Sequence, residues 1–326
     1  MHNIPFPELK TVFKQILLKH AFPEDRAECC ARIFAENSRD GVPSHGLNRF
    51  PVFISHIKEG LIDVQAEPEQ TDARGMIEQW DGRRAPGMYT ATLAVARAAA
   101  LAATGGMGMV VVKNTNHWMR GATYAWQAAD QHCISLCTTN AMAIMPPWGG
   151  TAPRLGNNPL VIGIPRERGH LVLDMALSQF SFGKLQEYRL AGETLPVAGG
   201  FDTAGQLSKD PVAVMDAKRL LPAGYWKGAG LSFMLDALLV SLSGGRSVAD
   251  IASSGKESGV SQLFLCIHST GEHASLVEDI LDFTKAGSAD GSIRYPGERT
   301  LAARRRSEKE GVPVNEKIWQ EVLAMV

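Results

Sequence analysis

The stretch Val42-Pro43-Ser44-His45-Gly46-Leu47-Asn48-Arg49-Phe50 brings a hydroxyl, an imidazole, an amide and a guanidinium close together in the chain. Pro43 and Gly46 favour a turn, which directs such side chains into a cleft rather than a core. Histidine titrates near neutrality, so His45 can pass a proton to a developing alkoxide, and Arg49 can grip a carboxylate through two parallel hydrogen bonds. The set suits reduction of a 2-keto acid, with Ser44 and Asn48 as further substrate contacts. The alternative is a solvated loop in which His45 and Arg49 cap neighbouring helices.

A second polar cluster, Lys113-Asn114-Thr115-Asn116-His117-Trp118-Met119-Arg120-Gly121, joins an apolar run to a helical pattern. Strand ends that open onto helix N-termini are where α/β proteins gather ligands. His117 is therefore the second catalytic candidate, as partner or orienter of His45, with burial against Trp118 as the alternative. Arg120 rivals Arg49 for the carboxylate. Asn116, with Asn140 and Thr139 further on, adds candidate substrate contacts. No G-x-G-x-x-G opens a helix anywhere, because Gly105-Gly106-Met107-Gly108 precedes a strand rather than following one. Leu221-Pro222-Ala223-Gly224-Tyr225-Trp226-Lys227-Gly228 does enter a helix, where Lys227 can meet a phosphate.

The elements that must position these groups are of two kinds. Apolar residues recur at three- and four-residue spacing in Phe6 to Phe22, Ala27 to Ala35 and Phe50 to Ile57, which predicts a small helical unit over 1–72. A segment without strong periodicity, Ile62 to Gly75, marks a boundary. From 73 to 285 the pattern is α/β. Apolar runs of strand length at Ile77, Met107, Ile134, Leu160, Leu171 and Leu263 alternate only partly with helices, so the expected sheet is mixed and covered on both faces. The C-terminal 286–326, helical from Glu298 to Met325, is expected to rejoin the N-terminal helices.

With 326 residues, 45% hydrophobic, 21% charged and net charge −1, the chain has no field that would favour nucleic acid or an anionic membrane. Lys10, Lys14 and Lys19 break any early signal-like run, and the Gly228 to Leu242 segment is short and carries Asp236, so a cytoplasmic protein is expected. Cys29, Cys30, Cys133, Cys137 and Cys266 read as reduced thiols, and Cys133-x-x-x-Cys137 lacks the second pair a metal site needs.

Five collinear motifs, Ser44 to Phe50, Asn116 to Gly121, Met145-Pro146-Pro147-Trp148-Gly149, Asn158-Pro159-Leu160 and Leu221 to Gly228, make the chain resemble the malate/L-lactate dehydrogenase-like family, which lacks a Rossmann fold. The resemblance implies a homodimeric NAD(P)H-dependent reductase that binds cofactor on an unusual mixed sheet, with His45 as proton donor. It also implies cofactor contacts from His170-Leu171-Val172-Leu173-Asp174-Met175-Ala176, Trp226-Lys227 and Gly297-Glu298-Arg299. NADH is the expected form, NADPH the alternative. Within the class the rivals are another 2-keto acid of malate or lactate type, or a cyclic imino acid. From another class the rival is a non-redox sugar-acid binding or hydrolytic protein.

Overall fold

The computed structural model describes residues 2–326. A short strand, β1 (His2–Ile4), precedes three amphipathic helices: α1 (Phe6–Lys19), α2 (Glu24–Arg39) and α3 (Phe50–Lys58). Leu9, Val12, Phe13, Ile16 and Leu17 form the buried stripe of α1. Phe13 stacks on Phe50 at 4.4 Å between ring centroids, while Phe34 meets Phe50 at 5.0 Å and Phe53 at 5.2 Å. This aromatic knot ties α1 and α2 to the start of α3, and so fixes both ends of the Ser44-His45 turn.

The main sheet has seven strands in the order β2 (Glu69–Arg74), β3 (Ile77–Asp81), β4 (Met107–Thr115), β12 (Val260–His268), β5 (Cys133–Thr139), β8 (Leu160–Ile164) and β9 (Leu171–Met175). Its first members are β2 (Glu69–Arg74) and β3 (Ile77–Asp81), joined as a hairpin. The segment expected to be an unpatterned boundary thus holds an edge strand. Apolar periodicity missed it because nearly every side chain of β2 is exposed and only the backbone pairs. Helix α4 (Gly87–Gly105) carries the chain to β4 (Met107–Thr115), which lies parallel to β3. Strand β4 therefore runs three residues beyond the apolar stretch, into the polar cluster. Helix α5 (Ala122–Asp130) leads to β5 (Cys133–Thr139), and a small hairpin, β6 (Ala143–Met145) with β7 (Leu155–Gly156), precedes β8 (Leu160–Ile164) and β9 (Leu171–Met175). The last three sheet strands pair antiparallel, as expected where no helix intervenes.

The long connection after β9 carries α6 (Phe182–Ala191), a two-residue pairing of β10 (Gly200–Phe201) with β11 (Leu207–Ser208), and α7 (Pro211–Ala217). Next come α8 (Trp226–Ser243), α9 (Val248–Ser253) and β12 (Val260–His268), which inserts antiparallel between β4 and β5. Helices α4 and α5 cover one sheet face and α8 packs on the other. Asp236, the one charge in the apolar middle of α8, is accommodated because it accepts hydrogen bonds from Asn140 Nδ2 at 3.0 Å and from the Val248 amide.

After α10 (Ala274–Lys285), the C-terminal helical stretch is broken. Gly311, at φ +86°, ends α11 (Glu298–Glu310), and β13 (Val312–Val314) pairs with β1 before α12 (Glu316–Leu323). These elements pack on α2 and α3, so the two ends of the chain close over the Ser44-His45 turn. One continuous core runs from Leu9 and Phe34 through Val110 and Trp118 to Trp319 and Val322.

Candidate active site

His45 ends a single 3-10 turn, Pro43–His45, and a second turn, Leu47–Arg49, follows at once. The last turn of α2 clamps this loop from beneath. Asn37 Nδ2 donates to the His45 carbonyl at 3.0 Å, and Ser38 Oγ accepts from the Leu47 amide at 2.8 Å. Asn37 is fixed in turn by Thr123 Oγ1 of α5, which donates to its Oδ1 at 3.0 Å. Gly46 must be glycine for this approach, since a Cβ would collide with Ser38 Oγ and lie 2.7 Å from its amide nitrogen.

His117 follows β4, and its ring lies nearly parallel to that of His45, with centroids 5.9 Å apart. The Met119 amide donates to His117 Nδ1 at 3.0 Å, which leaves the proton of the neutral ring on Nε2. Ser44 Oγ sits 3.2 Å from His45 Nδ1. Burial, followed by the proximity of His117, lowers His45 to about 4, while the Asp174 carboxylate opposes that shift. Burial, then Arg49 and His56, lowers His117 to about 3. Both rings are therefore neutral at pH 7 in the free protein.

The two candidate arginines are in different states. Arg120 Nη1 binds Asp40 at 3.2 Å and Nη2 donates to Thr300 Oγ1 at 2.8 Å, within a buried cluster where Arg304 grips Asp40 through two bonds of 2.9 and 2.7 Å. Although burial works to raise Asp40, these guanidinium groups hold it below the usual carboxylate range. Arg120 thus braces α2 against α11 rather than standing free for a substrate. Arg49 has no ion-pair partner among the described residues and is half-buried beside both histidines.

Three other polar candidates are taken up by the scaffold. Asn140, 1% exposed, donates to Asp236 and to the Arg246 carbonyl and accepts from the Ser261 amide at 2.8 Å. Asn116 donates to the Arg84 and Ala85 carbonyls and accepts from Ser258 Oγ, and Thr139 donates to backbone oxygens. Each was expected to contact substrate, yet a buried amide with its bonds satisfied has nothing left to offer. Asn48 is exposed at the rim.

Two acid-base groups escaped the motif argument. His56 stands seven residues, about two helical turns, beyond Arg49, a spacing that puts both on one side of α3. Burial and then Arg49 lower its pKa. Glu257, between α9 and β12, faces the same charges: burial raises its carboxyl and Arg49 opposes the rise. No local pattern marks Glu257, because it arrives from the far end of the chain.

The segments expected to contact cofactor lie side by side. The Val172 amide donates to the Pro296 carbonyl at 3.0 Å, and a Cβ on Gly297 would come within 3.1 Å of the Val172 nitrogen. Just beyond β9, Gln179 and Ala223 amides bond the Leu221 and Leu177 carbonyls, bringing the chain to the first turn of α8. Asp174 accepts from the Ala122 amide at 2.8 Å, linking β9 to the end of the His117 cluster. Lys227, exposed in the first turn of an eighteen-residue helix, makes no ion pair among the described residues. Ser178 Oγ is buried without a partner beside Pro222. The N-terminus of α8, the exposed Lys227 and the orphaned Ser178 hydroxyl, on segments paired through Ser178 and Pro222, suit a dinucleotide. Not every side chain in these stretches is available: Val172 lies in the core, His170 is held by Asp130 and the Arg166 amide, and Glu298 binds Lys285 at 2.7 Å. Those residues can offer backbone or shape only.

The family model for malate/L-lactate dehydrogenase matches residues 4–323. The chain is similar to a 2,3-diketo-L-gulonate reductase of Klebsiella pneumoniae (strain 342), 41% identical over 332 residues that cover 99% of this chain and 100% of the relative. Among solved structures, the malate dehydrogenase from Entamoeba histolytica superimposes with a TM-score of 0.91 at 26% identity, covering 99% of this chain and 97% of that one. The delta1-piperideine-2-carboxylate reductase from Pseudomonas syringae pvar. tomato has a TM-score of 0.89 at 25% identity and covers each chain fully.

Proposed function

Because the chain belongs to the malate/L-lactate dehydrogenase family and is an oxidoreductase of its NAD(P)-dependent kind, we propose that it reduces the ketone of a 2-keto sugar acid, 2,3-diketo-L-gulonate being the best-supported substrate. The observation that carries this reading is the stacked pair of His45 and His117 rings with the unpaired Arg49 acting on both, together with the α8 N-terminus that suits a dinucleotide. The relatives' substrate supports the sugar-acid assignment.

In the proposed mechanism Arg49 holds the substrate carboxylate, which places the adjacent carbonyl between His45 and His117. The bound nicotinamide supplies the hydride. As the carbonyl carbon receives it, the C=O electron pair moves onto oxygen, and protonated His45 transfers its proton there to complete the alcohol. His117 Nε2–H donates a hydrogen bond to the same oxygen and so stabilises the charge that develops. Asp174 favours the protonated form of His45. Binding of the carboxylate offsets Arg49 and removes one of the charges that depress the His45 pKa. Lys227 and the N-terminus of α8 would hold the cofactor phosphates. NADH is the proposed form of the cofactor.

The proposed assembly is a homodimer. Trp226, Phe233, Met234 and Leu238 are exposed on the outer side of α8, and Leu276, Ile280 and Phe283 on α10, the last 85% exposed. Apolar faces of this kind are seldom left bare in a soluble enzyme. Among the described residues no helix is long and apolar enough to cross a membrane, and a cytoplasmic location is proposed. The test of function is a substrate panel followed by loss of NADH or NADPH absorbance. Efficient reduction of 2,3-diketo-L-gulonate with NADH is expected. Turnover confined to pyruvate, oxaloacetate or a cyclic imino acid would replace the substrate, and no cofactor oxidation with any of them would remove the reading.

A further inference from the structure

We propose that Glu257 sets substrate specificity by binding the hydroxylated tail of the keto acid, in a subsite shared with His56; this rests on the sugar-acid reading above. The argument begins from need. A polyhydroxylated tail requires polar partners, and a site that leaves those hydroxyls unpaired gains nothing over a methyl-ended acid. Asn116, Asn140 and Thr139 are satisfied within the scaffold. Besides Ser44 and Asn48, the polar groups within electrostatic reach of Arg49 are His56 and Glu257.

The loop that carries Glu257 is held in place on both sides of that residue. Lys256 Nζ binds Glu59 Oε2 at 2.9 Å, at the C-terminal cap of α3 three residues beyond His56. Ser258 Oγ donates to Asn116 Oδ1 at 3.0 Å and also reaches the Leu61 carbonyl, so the loop is fixed next to His117. Glu257 itself receives one long bond, 3.4 Å from the Met142 amide to Oε1. Its Oε2 has no partner among the described residues. A half-buried carboxyl group on a loop anchored to α3 and to Asn116, largely unbonded and within electrostatic reach of Arg49 and His56, is an acceptor open to donors. Hydroxyl groups at carbons beyond the 2-keto group supply them, while His56 can donate to or accept from a neighbouring hydroxyl. Pyruvate, which ends in a methyl group, would leave Glu257 facing it without a hydrogen bond.

The test compares kcat/KM for 2,3-diketo-L-gulonate and for pyruvate in the wild type, Glu257→Gln and Glu257→Ala, with thermal melts to establish folding. The sugar-acid-to-pyruvate ratio is expected to fall roughly 10- to 100-fold in Glu257→Ala, with partial recovery in Glu257→Gln, which keeps the size and one acceptor oxygen. Equal losses for both substrates would assign Glu257 a structural role and overturn the proposal, as would an unchanged ratio. If Glu257→Ala fails to fold, Glu257→Gln decides by the same ratio. A wild type that reduces no hydroxylated keto acid would instead defeat the parent reading, and this one with it.

Discussion

At the scale of single residues, the proposed mechanism asks His45 to carry a proton although its surroundings discourage it. Burial and the nearby His117 hold His45 at about 4, so its protonated fraction falls about tenfold for each pH unit above that value. kcat/KM for keto-acid reduction is therefore expected to decline as pH rises from 5 to 8, while alcohol oxidation, which needs neutral His45 as base, stays level across that range. A reduction profile that rises with pH would assign the proton to another group. His45→Asn keeps size and hydrogen bonding but has no transferable proton. Its turnover should drop roughly 10²- to 10⁴-fold, with the cofactor dissociation constant little changed in a fluorescence titration. Arg49→Met should chiefly raise KM for the keto acid, whereas Arg120 changes should show first in thermal melts, because Arg120 serves the Asp40 cluster.

At the scale of elements, each functional group sits where one element ends on another. The end of α2 carries the His45 loop, the end of β4 presents His117, and the first turn of α8 offers Lys227. The helix dipole would make that first turn the proposed phosphate site without a glycine-rich fingerprint. Lys227→Ala should weaken NADH binding while leaving the melting temperature unaltered, since Lys227 is exposed and unpaired. Unchanged affinity by calorimetry would move the phosphates elsewhere on β9.

For the whole molecule, the bare apolar faces of α8 and α10 predict a twofold dimer, to be checked by light scattering beside an activity assay. A fully active monomer at assay concentration would refute it. Acid sensitivity is also a property of the whole fold. His45 and His117 bind protons less readily folded than unfolded, so stability is intact above the unfolded value of about 6.5 and is lost as pH falls toward about 4. The urea midpoint should be lower at pH 5 than at pH 7, and His117→Gln should narrow that difference.

Much of this was legible in the chain itself. The amphipathic helices, most sheet strands and the polar clusters around His45 and His117 follow from local periodicity and from turn residues, which act over a few neighbours. Side-chain availability does not. Asn116 and Asn140 resemble ligand-binding amides until Ser258, Asp236 and Ser261 arrive from far along the chain and saturate them, and Arg120 resembles a carboxylate clamp until Asp40 claims it. Glu257 reaches the cleft by the same kind of long-range closure. Strand β2 and the β1–β13 pair were hidden because backbone hydrogen bonds hold them, and these leave no side-chain pattern. Residue type and spacing determine which chemistry is available, whereas the hydrogen bonds made when distant segments pack decide which groups remain free to perform it.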